Sequence, residues 1–255
     1  MPLNLSKKII VTIGLIIALA ILLLSGRSRE DTYQDFTTHG YVALENGVER
    51  LSDGTFMVTS LVNFPNANAD MYKWWFTDYL QTTEQYQRWE PMAHKWMDWD
   101  HKKSGEIVGA HHLVHELIGG QMVKLRIQFV KPTRVLGFDP SNKNTQAICA
   151  VVGELESNLN IAQMCHVARN KPWGVEVRSR FWMGVVEDRE AGFVKAAAIN
   201  ILANNPISRR IGVGEADALA LQQHCIEEMS TLSSYLPKIY AQGQLALENS
   251  SAQNE

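Results

Sequence analysis

The chain opens on an unbroken apolar run, Ile9 to Leu24, with Lys7 and Lys8 before it and Arg27 and Arg29 after it. That length lies at the lower limit for a bilayer-spanning helix and above the apolar core of most cleaved leaders. No Ala-x-Ala site follows, and no cysteine follows Leu22-Leu23-Leu24-Ser25-Gly26 for lipid attachment. The pattern predicts a single uncleaved N-terminal anchor through residues 9–26, with a signal segment as the alternative. The flanking charges nearly balance and set the orientation only weakly. With the amino end inside, the rest of the chain sits on the extracytoplasmic, periplasmic side.

Beyond the anchor, residues 31–69 are polar and carry turn signals (Asn46-Gly47, Asp53-Gly54, Phe64-Pro65-Asn66), with a short strand expected at 57–62. Met71, Trp74, Trp75, Tyr79 and Leu80 recur at spacings of three and four, which predicts one helix over 70–89 before the break at Glu90-Pro91. The period then changes to that of strands: 106–118, a Gly119-Gly120 hairpin turn, and 121–130 up to Pro132. Further strands are expected at 146–155, 160–169, 174–182 and 185–187. After Gly214 a long helical pattern runs from Glu215 to Tyr235, with Pro237 expected to stop it and a polar, frayed tail from Ala241. One helix, a series of antiparallel strands and a long final helix make an α+β fold, a curved sheet wrapped over the terminal helix. Such a fold encloses a cavity for a medium-sized apolar ligand.

Composition narrows the function. The 255 residues carry 24 Lys+Arg against 27 Asp+Glu, a formal net charge of −3, so the dense basic surface of a nucleic-acid binder is missing and no nucleic-acid partner is expected. The three cysteines, Cys149, Cys165 and Cys225, show no CxxC spacing and are too few for a disulfide framework. The domain is expected to fold on its core, aided by a metal.

The metal expectation comes from two places. His224 and Glu228 stand four apart on the final helix, inside a stripe of Leu221, Cys225, Leu232 and Leu236. Burying them unpaired is costly, and a metal or a surface ion pair would relieve it. Five of the eight histidines fall between His94 and His115 (His94, His101, His111, His112, His115), with Glu116 next. Alternation puts His112, Val114 and Glu116 on one face of a strand. His94, Glu116, His224 and Glu228 would offer two nitrogen and two oxygen donors, which suits Zn²⁺ best, with Mn²⁺ or Fe²⁺ as alternatives. Trp74, Trp75, Trp89, Trp96 and Trp99, interleaved with Tyr72, Tyr79 and Tyr86, are either core or the wall of a pocket for an aromatic or acyl ligand. His166 is either a core histidine or a proton donor inside the cavity.

Three segments, Tyr86-Gln-Arg-Trp-Glu-Pro-Met-Ala-His94, His115-Glu-Leu-Ile-Gly-Gly120 and His224-Cys-Ile-Glu-Glu228, together resemble the diacetylphloroglucinol (DAPG) hydrolase family over roughly residues 70–236. The resemblance implies a Bet v 1-like fold and a zinc-dependent hydrolase that cleaves a carbon–carbon bond between an acyl group and a phenolic ring. By motif, the metal ligands would be His94, Glu116, His224 and Glu228, and the catalytic residues Tyr86 and His166. Two family substrate contacts, an asparagine and a second tyrosine, fall on Met97 and Phe181, so a less hydroxylated substrate is expected. The chain divides accordingly into an anchor at 1–29, a DAPG hydrolase-like domain at 30–240 and a polar tail at 241–255.

The expected chemistry is a metal-assisted hydrolysis of an acylated phenol or related aromatic ketone. Four protein donors make a closed site, which is normally structural, so catalysis requires a position to open. The alternatives are a membrane-tethered Bet v 1-like module that binds an apolar or aromatic ligand without chemistry, and a metal-free structural domain.

Overall fold

The computed structural model describes residues 11–15 and 26–252, with side chains to 246. Most of the predicted anchor lies outside the described residues. Among the described residues no helix is long and apolar enough to cross a membrane.

Eight strands form one antiparallel sheet in the order β1-β2-β8-β7-β6-β5-β4-β3. They are β1 (Gly47–Arg50), β2 (Phe56–Pro65), β3 (His94–Asp100), β4 (His111–Ile118), β5 (Gln121–Val130), β6 (Thr145–Glu154), β7 (Leu159–Lys171) and β8 (Gly174–Asp188). The helices are α1 (Arg29–Tyr33), α2 (Ala69–Trp74), α3 (Thr83–Trp89), α4 (Pro132–Leu136), α5 (Phe193–Leu202), α6 (Pro206–Gly212) and α7 (Glu215–Ala252). The expected α+β arrangement of sheet and long terminal helix is the one observed.

One face of the sheet meets α7, and between them lie Val58, Phe64, Tyr72, Trp75, Phe76, Phe129, Val177, Met229, Leu232 and Leu236, all buried. The other face is covered too. Tyr33 and Phe36 pack there on Met57, Val167 and Trp182, and the Trp182 indole donates to Thr32 Oγ1 at 2.9 Å. Arg178 and Arg180, also on that face, are wholly buried and reach Glu45, at 2.5 and 3.1 Å respectively. The polar stretch 29–46 is therefore cladding, held by ion pairs. With both faces covered, the middle of β8 is continuously buried rather than alternating.

Several expectations change. The single helix over 70–89 is broken: α2 passes into a π-helical turn (Trp75–Tyr79), Leu80 is extended, and α3 starts afresh. Thr82 and Gln85 form a reciprocal capping box that fixes the restart. Strand β3 has no counterpart in the sequence reading because a bulge between His94 and Trp96 shifts its phase. The strands expected at 174–182 and 185–187 are one strand, β8, bent at Gly184, whose φ of +89° suits glycine. Pro237 does not stop the final helix. Leu236 and Ile239 on either side of it are buried, and the Tyr240 ring meets Trp74, so packing outweighs the lost backbone bond. Finally, Cys149 and Cys165 face each other across β6 and β7 and are disulfide-bonded, leaving only Cys225 free.

Candidate metal centre and cavity

The start of β3, the end of β4 and the third and fourth turns of α7 converge. His94 and Glu116 are directly paired across β3 and β4, and the Gly119-Gly120 turn, both residues left-handed, ends β4 just beyond Glu116. His224 and Glu228 project from one face of α7 as their spacing requires. His94 Nε2 lies 3.7 Å from Glu116 Oε2 and 3.6 Å from Glu228 Oε2. His224 Nε2 lies 3.7 and 3.9 Å from the same two oxygens. All four side chains are buried.

The donor set fits a divalent cation. His94 Nδ1 donates to the Tyr86 carbonyl at 2.9 Å, which fixes the tautomer and turns Nε2, without a hydrogen-bond partner, toward the two carboxylates. A buried lone pair facing two buried carboxylates needs a positive charge between them. Ligand atoms of His94, His224 and Glu228 lie within 4.8 Å of one another. Separations of 3.6–3.9 Å suit ligands about 2 Å from a shared centre. Among the protein's own groups the charge falls on His224. Burial opposes its protonation, but Glu116 and Glu228 outweigh burial and hold it up to about 9. Burial likewise works against the Glu116 carboxylate, yet the His224 and His94 imidazoles and the Tyr86 hydroxyl bring it down to about 2.

Tyr86 completes the cluster from α3. Its ring stacks on His94, with centroids 3.7 Å apart and planes at 5°, and its hydroxyl donates to Glu116 Oε2. Burial, and then the Glu116 charge, push the phenol well above its usual range, so it keeps its proton and can donate.

Tyr86, Glu116, His224 and Glu228 line a cavity of about 870 Å³, walled also by Phe76, Trp89, Leu125, Ile127, Phe181 and Leu221. His166, on β7, lines the same cavity, bonded to Ser179 at 2.7 Å and set between Phe76 and Phe181. Burial pulls it down to about 4, so it is neutral at pH 7.

Of the residues singled out from sequence, Tyr86, His94, Glu116, His224 and Glu228 meet at one point, and His166 and Phe181 share the cavity with them. Met97 does not line it. The bulge after His94 turns Met97 inward, but into the core against Val114, its cross-strand neighbour. The tryptophans divide: Trp89 lines the cavity, Trp75 is core and Trp96 is partly exposed against His115. Sequence reasoning did not single out His112. It is buried in the cavity wall, stacked on Trp99, with Nε2 unpartnered. Its place on the Glu116 face of β4 was the available signal. The other histidines of the 94–115 segment, His101, His111 and His115, lie outside the cavity wall.

Comparison with known proteins places the geometry in context. The family model described as the DAPG hydrolase PhiG domain matches residues 28–241. A 2,4-diacetylphloroglucinol hydrolase from Pseudomonas sp. is 28% identical over 220 residues, covering 78% of this chain and 72% of that protein. The enzyme of the same name from Pseudomonas protegens is also 28% identical, covering 78% and 69%. Among solved structures, Ara h 8.0201 aligns with a TM-score of 0.43 at 10% identity, covering 72% of this chain and 98% of that one. The Zhui aromatase/cyclase from a Streptomyces species aligns at 0.41 and 14% identity, covering 71% and 92%. Scores below 0.5 carry no weight for function.

Proposed function

This chain belongs to the DAPG hydrolase family, and we propose that it is a metal-dependent hydrolase that cleaves the carbon–carbon bond between an acyl group and a phenolic or related aromatic ring. The observation that carries the metal reading is the unpartnered His94 Nε2 aimed at two buried carboxylates beside His224. Zinc is the ion we favour, on the donor chemistry of two imidazoles and two carboxylates. Family membership does not favour the non-catalytic binding module.

His94, His224 and Glu228 would hold the ion, with Glu116 as fourth ligand. Because Glu116 Oε2 already accepts from Tyr86, it can be held back, which leaves the open position that a catalytic site needs. When bound, the ion supplies Lewis-acid activation of the acyl carbonyl or of the water that adds to it. The chain's own residues do the rest. Phe76, Trp89 and Phe181 clasp the aromatic ring and exclude bulk water, which strengthens every electrostatic contact inside. Tyr86, always protonated, offers its hydroxyl to a substrate oxygen or to Glu116. His166, neutral at rest and oriented by Ser179, takes up a proton released as water adds to the acyl carbonyl and passes it to the departing ring carbon. Water is consumed, an acid forms from the acyl group, and the ring gains hydrogen at the carbon that lost it. With Met97 in the core and Phe181 on the wall, the cavity is poor in polar contacts to a ring, which favours a substrate less hydroxylated than phloroglucinol.

We place the domain on the extracytoplasmic side of a membrane, tethered by residues 9–26. The Cys149–Cys165 bond supports that reading, since disulfides persist in oxidising compartments. The function is tested by elemental analysis of the purified chain beside His224→Ala and Glu116→Ala, followed by assay on 2,4-diacetylphloroglucinol and simpler acyl phenols. One divalent ion per chain is expected, lost in His224→Ala and bound more weakly in Glu116→Ala, with release of free acid abolished in both. A chain that binds no metal, even with zinc added, is not the enzyme proposed.

A further inference from the structure

The site does not account for the outward faces of helices α5 and α6. Helix α5 reads Phe-Val-Lys-Ala-Ala-Ala-Ile-Asn-Ile-Leu, apolar all round except for Lys195 and Asn200, yet none of its residues is buried. A helix of that composition ordinarily lies inside a protein or in a membrane. Phe193 is 88% exposed, and Val194, Ile201 and Leu202 are exposed with it; on α6, Ile207 and Ile211 are exposed as well, Ile211 at 81%. Single exposed apolar residues need no explanation, but six on two consecutive short helices mark an interaction surface.

Two further observations say what covers it. First, the same helices wall the cavity, through Leu202, Ala203, Ser208 and Gly212. Second, the chain enters the domain beside them. The Arg27 carbonyl accepts from the Ser52 amide at 3.0 Å and hydroxyl at 3.2 Å. Asp53, the next residue, binds Arg209 of α6 at 2.6 Å, and Arg50 donates to the Val213 carbonyl at 2.6 Å. Gly54 lies so close to Pro206, the first residue of α6, that a Cβ there would clash. The apolar run Ile9–Leu24 thus ends within a few residues of a segment fixed against α6.

We propose that α5 and α6 lie in the interfacial layer of a lipid bilayer and that the cavity receives an apolar substrate from the membrane side. The proposal rests on reading Ile9–Leu24 as an anchor, which would hold this face at the bilayer. Apolar side chains on short helices partition into the headgroup–acyl boundary. An aromatic ketone dissolved in lipid would then reach the cavity without crossing bulk water.

The test uses the full chain reconstituted in phosphatidylcholine vesicles, with an environment-sensitive fluorophore on Ile201→Cys or Ile211→Cys. Cys225 is buried and does not compete for label. Lys143→Cys is the control. It lies in the β5–β6 loop, where Asn144 bonds Asn170 at the Gly174 end of β8. Helix α6 sits at the Gly184 end, ten residues or about 33 Å along the strand. Labels at 201 and 211 are expected to emit at shorter wavelength and to lose intensity when the acyl chains are brominated, and the label at 143 to do neither. A blue shift without quenching means that a second copy or residues 9–24 cover the patch, and overturns the proposal, as does no change at all. Flotation reports the anchor separately. A Phe193→Glu, Ile211→Glu variant still floats if residues 9–24 span the bilayer, but loses the quenching at 201. A chain that neither floats nor is quenched removes both readings.

Discussion

His166 gives the sharpest quantitative test of the site's electrostatics. It is fully buried between Phe76 and Phe181, and burial lowers it from 6.5 to about 4. Between these values the unfolded chain takes up a proton that the folded chain refuses, so stability falls as pH drops through 6.5 and the loss levels off below 4. The full shift is worth roughly 3 kcal/mol, with roughly 1 kcal/mol already lost near pH 5.5 and roughly 2–3 kcal/mol near pH 4.5. Replacing His166 by Phe keeps a ring in the same gap and removes the titration. At pH 7.5 the variant should be about 1 kcal/mol less stable, because the bond to Ser179 is gone. On acidification the wild type should lose stability faster, so the two curves converge and then cross. The assay is urea unfolding at several pH values with chelator throughout, so that metal binding does not contribute. Parallel curves for the two proteins would refute the assignment of His166 as a buried neutral imidazole, and with it the role of neutral base that relays the proton.

Other outcomes follow from the same geometry. Met97→Asn puts an amide into core that is 4% exposed, so it should cost about 2–3 kcal/mol in chemical unfolding and leave KM unimproved; a fall in KM would mean that position 97 reaches the substrate after all. Phe129→Ala, beneath Phe76 and Trp99, should cost about 3–5 kcal/mol in the same assay. Cys149→Ser with Cys165→Ser frees a crosslink spanning 16 residues and should lower stability by at most about 3 kcal/mol, less because the hairpin pairing of β6 and β7 persists. Glu228→Gln keeps the shape and removes one charged ligand, so metal affinity in a chelator competition should fall by more than the roughly 10- to 100-fold typical of losing a group that only supports a ligand, while the far-ultraviolet circular dichroism is unchanged.

The sequence by itself carried the periodic features. Helix α7, the β4–β5 hairpin with its Gly-Gly turn, and strands β6 and β7 are local patterns, legible because burial on one face imposes a period of 3.6 or 2. The pairing of His224 with Glu228, and of His112 with Glu116, follows from the same periods. The tertiary structure alone decided matters where two segments distant in sequence settle each other. The bulge in β3 places both His94 and Met97 inward, one into the metal cluster and one into the core, and no alternation count foresees that. Helix α7 continues through Pro237 because residues packed on either side of it outweigh one missing backbone bond. The Cys149–Cys165 bond needs the β6–β7 register, and the cladding by residues 29–46 needs Arg178 and Arg180 facing outward on β8. Local propensity fixes which elements form; long-range burial, which a linear pattern does not encode, fixes what each residue meets.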